Sequence, residues 1–178
     1  MIRLALFLIF LAGSLTAQEA PEASESEPPM TYERLGKIIF ALDPEAQPRG
    51  PIGFQLTLLD VPVLVITDVF SDRMRAMVSI RSAEDLTPED MRRMMQANFD
   101  STLDARYAIA NGTLWATFIH PLSSLEKNQL ISGLAQTVNT AKTYGTLYSS
   151  EALQFGGGDS NELQRSLIEE LLKKGEEI

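Results

Sequence analysis

The chain has 178 residues, a formal net charge of −9 and 44% hydrophobic residues. That length suits one domain with tails, and that apolar content suffices for a packed core, which excludes a chain disordered throughout. The acidity argues against nucleic acid as a partner, because phosphate binding draws on clustered Lys and Arg. The absence of cysteine excludes disulfides, thiolate metal sites and a cysteine nucleophile.

Residues 1–17 place a lone cation, Arg3, ahead of an apolar run from Leu4 to Ala12 and then small residues ending at Ala17. This is the pattern of a secretory signal peptide, with a cut expected after Ala17 although Leu15 is a less usual residue three before it. The run is too short to span a bilayer comfortably, so an uncleaved anchor is the lesser reading and no direct membrane span is expected after cleavage. A periplasmic or secreted location follows from it. Residues 18–30 carry Glu19, Glu22, Glu25 and Glu27 among Ala, Ser and Pro and read as a flexible acidic leader.

Residues 31–42 set Tyr32, Leu35, Ile38, Ile39 and Leu42 on one helical face, and Asp43-Pro44 stops that helix. Residues 45–53, with Pro48, Gly50, Pro51 and Gly53, read as a loop. Three strands are expected over 54–59, 62–70 and 74–82. Their short connections make them antiparallel neighbours, and residues 61–66, apolar on both faces, suit an interior strand. On the third, Met74, Ala76, Val78 and Ile80 alternate with Arg75, Met77, Ser79 and Arg81, a core face against a basic, Met-bearing one.

The chain is organised around residues 87–121. Thr87-Pro88-Glu89-Asp90 is a helix start, with a side-chain cap, a proline where no amide partner is needed, and two acids at the positive helix end. Met91, Met94, Met95, Asn98 and Phe99 then repeat at helical spacing, predicting one packing face. Asn98 on that face needs hydrogen-bond partners, either backbone groups at neighbouring strand ends or a ligand. Asn111-Gly112 tolerates the positive φ angles of a two-residue hairpin turn, which pairs Ala110 with Thr113, Ile109 with Leu114, Ala108 with Trp115 and Tyr107 with Ala116. Tyr107, Ile109, Leu114, Ala116 and Phe118 then form a core face, and Arg106, Ala108, Thr113, Trp115, Thr117 and Ile119 a mixed one.

Ser123-Ser124-Leu125-Glu126 reads as a capping box opening a helix to about Tyr144, with Leu130, Leu134, Val138 and Ala141 on one stripe and Gly145 as its C-terminal cap. Gly133 is either a simple tolerance or a close approach to another backbone. Residues 146–155 are ambiguous, and Gly156 to Gly158 form a joint. A last helix carries Leu163, Leu167, Ile168, Leu171 and Leu172 on a narrow stripe that must dock somewhere, on this chain or another. The expected architecture is therefore α+β, in the order helix-βββ-helix-ββ-helix. One antiparallel sheet packs on helices over residues 31–150, with a glycine joint and an amphipathic C-terminal helix over 151–178.

That order, with Asp72-Arg73-Met74-Arg75, the run from Met94 to Phe99 and the hairpin bearing Trp115, resembles the YbjN-like and type III secretion (Tir-type) chaperone-like fold family over residues 30–145. The resemblance implies a non-enzymatic α+β domain with one antiparallel sheet, often dimeric, that binds segments of other polypeptides. An export signal and an extra C-terminal helix depart from the family's pattern, since secretion chaperones act in the cytoplasm.

Catalytic, cofactor and metal signatures are not found. One histidine, His120, cannot build a histidine zinc site without help. A triad of His120 with Ser123 or Ser124 lacks a nucleophile elbow. Asp60, Asp68 and Asp72 sit in or beside turns without calcium-loop spacing. An alternative, an exported hydrolase, would rest on a carboxylate pair among Asp68, Asp72, Glu84 and Asp85. The favoured reading is a protein-binding surface: with helices on the core side, Arg75, Met77, Arg81, Arg106, Trp115 and Ile119 point to the other side of the sheet. Arg beside Trp and Met suits an acidic amphipathic polypeptide segment, supplied by another protein, by a second copy in a homodimer, or by this chain's own acidic leader or last helix. The bland alternative is a half-solvated sheet face. Intact-mass measurement of the chain recovered from the exported fraction is expected to show the loss of residues 1–17, and a full-length mass there would contradict the signal reading.

Overall fold

A computed structural model describes residues 27–145 and 161–175. The signal segment, the leader up to residue 26, the ambiguous stretch from 146 and the three glycines lie outside the described residues, as does the side chain of Leu163. The elements are α1 (Tyr32–Leu42), β1 (Gln47–Pro48), a 3-10 turn (Gly50–Ile52), β2 (Gly53–Leu58), β3 (Val61–Asp68), β4 (Arg73–Ser82), α2 (Pro88–Asp100), β5 (Arg106–Ala110), β6 (Thr113–His120), α3 (Lys127–Lys142) and α4 (Asn161–Gly175). One antiparallel sheet runs β1-β2-β3-β4-β6-β5, and the helices pack on it. The α+β architecture read from the sequence is thus present, with one added strand: Gln47–Pro48, expected as loop, pairs with Gln55 and Phe54. Its two residues and its proline make it a short, poorly templating sheet edge.

The hairpin pairs as the turn chemistry requires, Ala110 with Thr113 through Tyr107 with Ala116, with φ of 50° at Asn111 and 69° at Gly112. Phe54, Leu56, Val63, Val65, Met74, Ala76, Val78, Leu114, Ala116 and Phe118 are buried on one face of the sheet, and α1, α2 and α3 lie against that face. Ile109 was expected in this core but sits at the outer margin of the edge strand, half exposed.

The two central helices depart from their expected stripes. Helix α2 is capped as read, with Thr87 and Asp90 in a reciprocal box. Yet it buries Met94 and Ala97 against Tyr107 and Leu114, while Met91, Met95 and Phe99 are exposed. The helix meets only the narrow margin of the sheet at β5, so one ridge suffices and the other faces outward. Asn98 finds backbone partners: Tyr107 N–H donates to its Oδ1 at 2.7 Å, and its Nδ2 donates to Tyr107 O at 3.2 Å. The amide thereby mimics a neighbouring strand at the edge of the sheet.

The start of α3 is not Ser123. Its N-cap is Glu126, boxed with Gln129, and the side chain of Glu27 accepts from Lys127 N–H at 2.9 Å and pairs with Arg34. That backbone bond first, and Arg34 second, hold the Glu27 carboxyl below the usual range. The body of α3 is buried on nearly every side, not on one stripe, because α4 docks on it and on α1 through Leu167 and Leu171. The apolar stripe of α4 is therefore used within the chain. Gln136, buried in α3, accepts from the amides of Asp104 and Ala105 and donates to Ser132 Oγ, tying the α2–β5 connection to the helix.

Gly133 is a close approach, though to a side chain and not to backbone: a Cβ there would lie 2.5 Å from Phe118 Cε1. Gly133→Ala therefore sets a helix-propensity gain of about 1 kcal/mol against overpacking of a buried ring. We expect a net loss of about 1–2 kcal/mol in denaturant unfolding, and a more stable variant would show that the ring yields.

Candidate functional site: the uncovered face of the sheet

With the helices on one face, no described element covers the other. Cross-strand pairing assembles that face in rows. The longest runs Gln55, Leu64, Met77, Thr117, Arg106 across five strands, and a second runs Gly53, Ile66, Arg75, Ile119. Trp115 stands opposite Ser79 on one side and Ala108 on the other. Two grooves cut the face. One of about 460 Å³ is lined by Arg49, Ile52, Gln55, Leu64, Ile66, Met77 and Trp115, and one of about 360 Å³ by Ile66, Asp68, Arg73, Arg75 and Ile119.

Five of the six residues expected on this face are on it: Arg75, Met77, Arg106, Trp115 and Ile119. Arg81 is not. The pairing of β4 with β6 slips between Ser79 and Arg81, so Arg81 stands opposite Leu114, whose side chain is buried against α2. An inserted residue reverses side-chain parity beyond it. Arg81 is thereby turned to the helix-bearing side, where its guanidinium lies 3.7 Å from Asp85. It leaves the candidate surface.

The remaining side chains are held to different degrees. Trp115 is half-buried, and its Nε1–H donates to Ala110 O at 3.2 Å, fixing the ring over the hairpin. Arg106 bends back onto the carbonyls of Leu103 and Ala105, so part of its donor capacity closes the α2–β5 loop. Thr117, buried between Met77 and Arg106, has no hydrogen-bond partner for its hydroxyl among the described residues. Arg73 and Arg75 are exposed and, among the described residues, within 4.0 Å of no carboxylate.

Leu64, Ile66, Arg49 and Arg73 belong to this face and were not singled out from the sequence. Leu64 and Ile66 were legible in the doubly apolar run from Val61, which has a core parity and an outer one. Arg73 shares the parity of Arg75. Nothing in the sequence pointed to Arg49, which arrives through the small strand β1 and a bond to Gln55.

The groups weighed for chemistry are dispersed or already engaged. Asp68 and Asp72 flank the β3–β4 turn, while Glu84 and Asp85 follow the other end of β4, a strand of 10 residues, about 30 Å away. Among the described residues no group of three His, Asp or Glu side chains converges on a metal-sized site. His120 Nδ1 lies 2.8 Å from Pro121 O and so carries the proton on that nitrogen, since a carbonyl only accepts. Ser123 does not meet His120: its N–H and Oγ–H donate to the Asp72 carboxylate at 2.7 and 2.9 Å. A polar cleft of about 680 Å³ beside α3 includes His120, Asp104, Ser132 and Gln136, and the last three are joined to one another through Gln136.

No protein-family model matches the chain, and no curated protein matches it in sequence.

The Asp72–Ser123 clasp has a measurable signature. The backbone bond from Ser123, then its hydroxyl, hold the Asp72 carboxyl below the ordinary aspartate range. A carboxylate depressed on folding stabilises the fold fully above its unfolded pKa, and that contribution is lost as pH falls through the folded value. Asp72→Ala is expected to unfold more readily at neutral pH and to lose less on acidification below about pH 4 than the parent; parallel pH profiles of the two would contradict the clasp.

Proposed function

We propose that this chain is an exported, non-enzymatic protein-binding module, chaperone-like or regulatory, whose uncovered sheet face holds an acidic amphipathic segment of a polypeptide. The observation that carries this reading is the pairing of apolar grooves with guanidinium groups on one open face of a chain with a net charge of −9. Leu64, Ile66, Met77 and Trp115 offer apolar area that adapts to its occupant, and Arg73 and Arg75 at its margin stand ready for bidentate bonds to carboxylates. Rigid aromatic area beside arginine is the composition of binding hot spots. The resemblance to the YbjN-like and secretion-chaperone-like family supports the same reading, and the signal-like residues 1–17 support a periplasmic or secreted setting. A second copy of this chain is the alternative occupant of the face, which would make the module a homodimer.

Trp115 is the only tryptophan, so its fluorescence reports on the face directly. Titration with a synthetic amphipathic peptide of alternating Glu and Leu is expected to shift that emission saturably, while its Lys counterpart does not. Arg75→Glu with Met77→Asp is expected to weaken binding at least ~10-fold, because both groups would contact the segment directly. These positions are exposed or half-exposed, so the thermal midpoint should move by no more than about 2–4 °C. Unmoved Trp115 emission at millimolar peptide, or equal affinity for the Lys peptide, would overturn the reading.

A further inference from the structure

Four exposed apolar side chains gather at one end of the sheet. Phe70 is 104% exposed and Val69 60% at the tip of the β3–β4 turn, with Ile119 at 52% and Ile52 at 54% beside it. Ile119 is brought there by its pairing with Arg75 at the end of β6, and Ile52 by the bond that Thr67 Oγ donates to its carbonyl at 3.3 Å. Nothing in the turn's own packing requires Phe70. The tip is held instead by polar bonds, Ser71 N–H to Asp68 Oδ1 at 3.0 Å and the Asp72 clasp to Ser123. Both carboxylates near the tip thus have their oxygens engaged by turn amides and hydroxyls. Arg73 and Arg75, which line the 360 Å³ groove immediately behind the tip, have no carboxylate within 4.0 Å among the described residues.

We propose that this tip inserts into the interfacial layer of a phospholipid bilayer, with Val69 and Phe70 among the upper acyl chains and Arg73 and Arg75 on headgroup phosphates. The shape favours a bilayer over a protein. The apolar pair is convex and projects at a turn, so a protein would have to supply a cavity shaped to it, whereas a fluid interface needs none. An apolar tip backed by guanidinium groups also matches the layering of the interface, where long basic side chains keep their heads at the phosphates. Guanidinium and phosphate complement each other in charge and in bidentate geometry. The remainder of the chain is acidic, so attachment rests on the tip and opposes long-range repulsion from an anionic surface. Arg73 and Arg75 are shared with the polypeptide-binding face, whereas Val69 and Phe70 are not part of it, and a label at position 70 reads the tip alone. The two proposals therefore fail separately.

The chain has no cysteine, so Phe70→Cys in the full chain carries a single environment-sensitive fluorophore at the tip. Its emission is expected to shift to the blue with phosphatidylcholine vesicles and with mixed phosphatidylcholine–phosphatidylglycerol vesicles. Added salt should strengthen the shift on the mixed vesicles, by screening the repulsion of the acidic body. The same label at Thr113→Cys, in the hairpin at the far end of the sheet, should stay unshifted. Val69→Ser with Arg73→Gln should reduce the vesicle-dependent shift at position 70 about 10-fold in apparent affinity. An unshifted tip label would overturn the proposal, whether the chain floats with the vesicles through residues 1–17 or stays in solution. A shift of equal size at position 113, or one that Val69→Ser with Arg73→Gln leaves unchanged, would overturn it as well.

Discussion

The positive φ angles at Asn111 and Gly112 are the constraint from which the rest of the sheet follows. A two-residue turn admits one register, and in a strand register decides parity. Once Ala110 faces Thr113, Leu114, Ala116 and Phe118 must point to one side and Trp115, Thr117 and Ile119 to the other. Because β6 also pairs with β4, the same parity passes to Met74, Ala76 and Val78, and through β4 to β3 and β2. A slip of one residue at the hairpin would reverse β5 against the rest of the sheet, carrying Arg106 to the core side and Tyr107 out of it. The slip that does occur, at the far end of β4, is placed where only Arg81 and Ser82 follow it, and there it sets Arg81 beside Asp85 and within electrostatic reach of Asp90 in the first turn of α2.

The core side is layered, and each layer depends on the one beneath it. Helix α3 lies close to the sheet because Gly133 leaves room for the Phe118 ring. That closeness brings Gln136 within reach of the amides of Asp104 and Ala105, which have no strand partner where β5 begins. Helix α4 then covers the outer side of α3 with Leu167 and Leu171, each buried side chain contributing about 1.5–3 kcal/mol against exposure. The clasp of Asp72 on Ser123 and the cap of Glu27 on Lys127 fasten the start of this helical layer to the β3–β4 turn and to the first described residues.

Among the described residues the sheet is packed on one face only. A sheet covered on one face only presents on the other a broad surface whose chemistry is free of core requirements. Here that surface carries Leu64, Ile66, Met77 and Trp115 among arginines, whereas the α2 ridge of Met91, Met95 and Phe99 is apolar with its flanking charges already paired, Glu89 with Arg92 and Arg93. The two surfaces are therefore unlike in kind. The sheet face combines apolar area with arginines that have no carboxylate within 4.0 Å among the described residues, and it sits beside a projecting turn with the same combination.

Local chemistry alone determined much of this protein. The Thr87 cap, the hairpin register, the interior character of β3 and the partners of Asn98 all depend on residues close in sequence or on hydrogen bonds a buried amide must make. Five of the six face residues followed from strand alternation, which is a local rule. Tertiary structure decided what alternation and helical periodicity leave open. Met91, Met95 and Phe99 share a stripe with Met94, but how much of a stripe is buried depends on the width of the surface it meets, and α2 meets only the sheet margin. Arg81 reads as the next member of an alternating series, and only pairing with β6 reveals the inserted residue that reverses it. Ser123 fits a helix cap as well as Glu126 does, until Asp72, 51 residues away in sequence, takes its hydrogen bonds. Gly133 and Phe118 are unremarkable apart and are a single contact together, because their proximity exists only once the helix lies on the sheet.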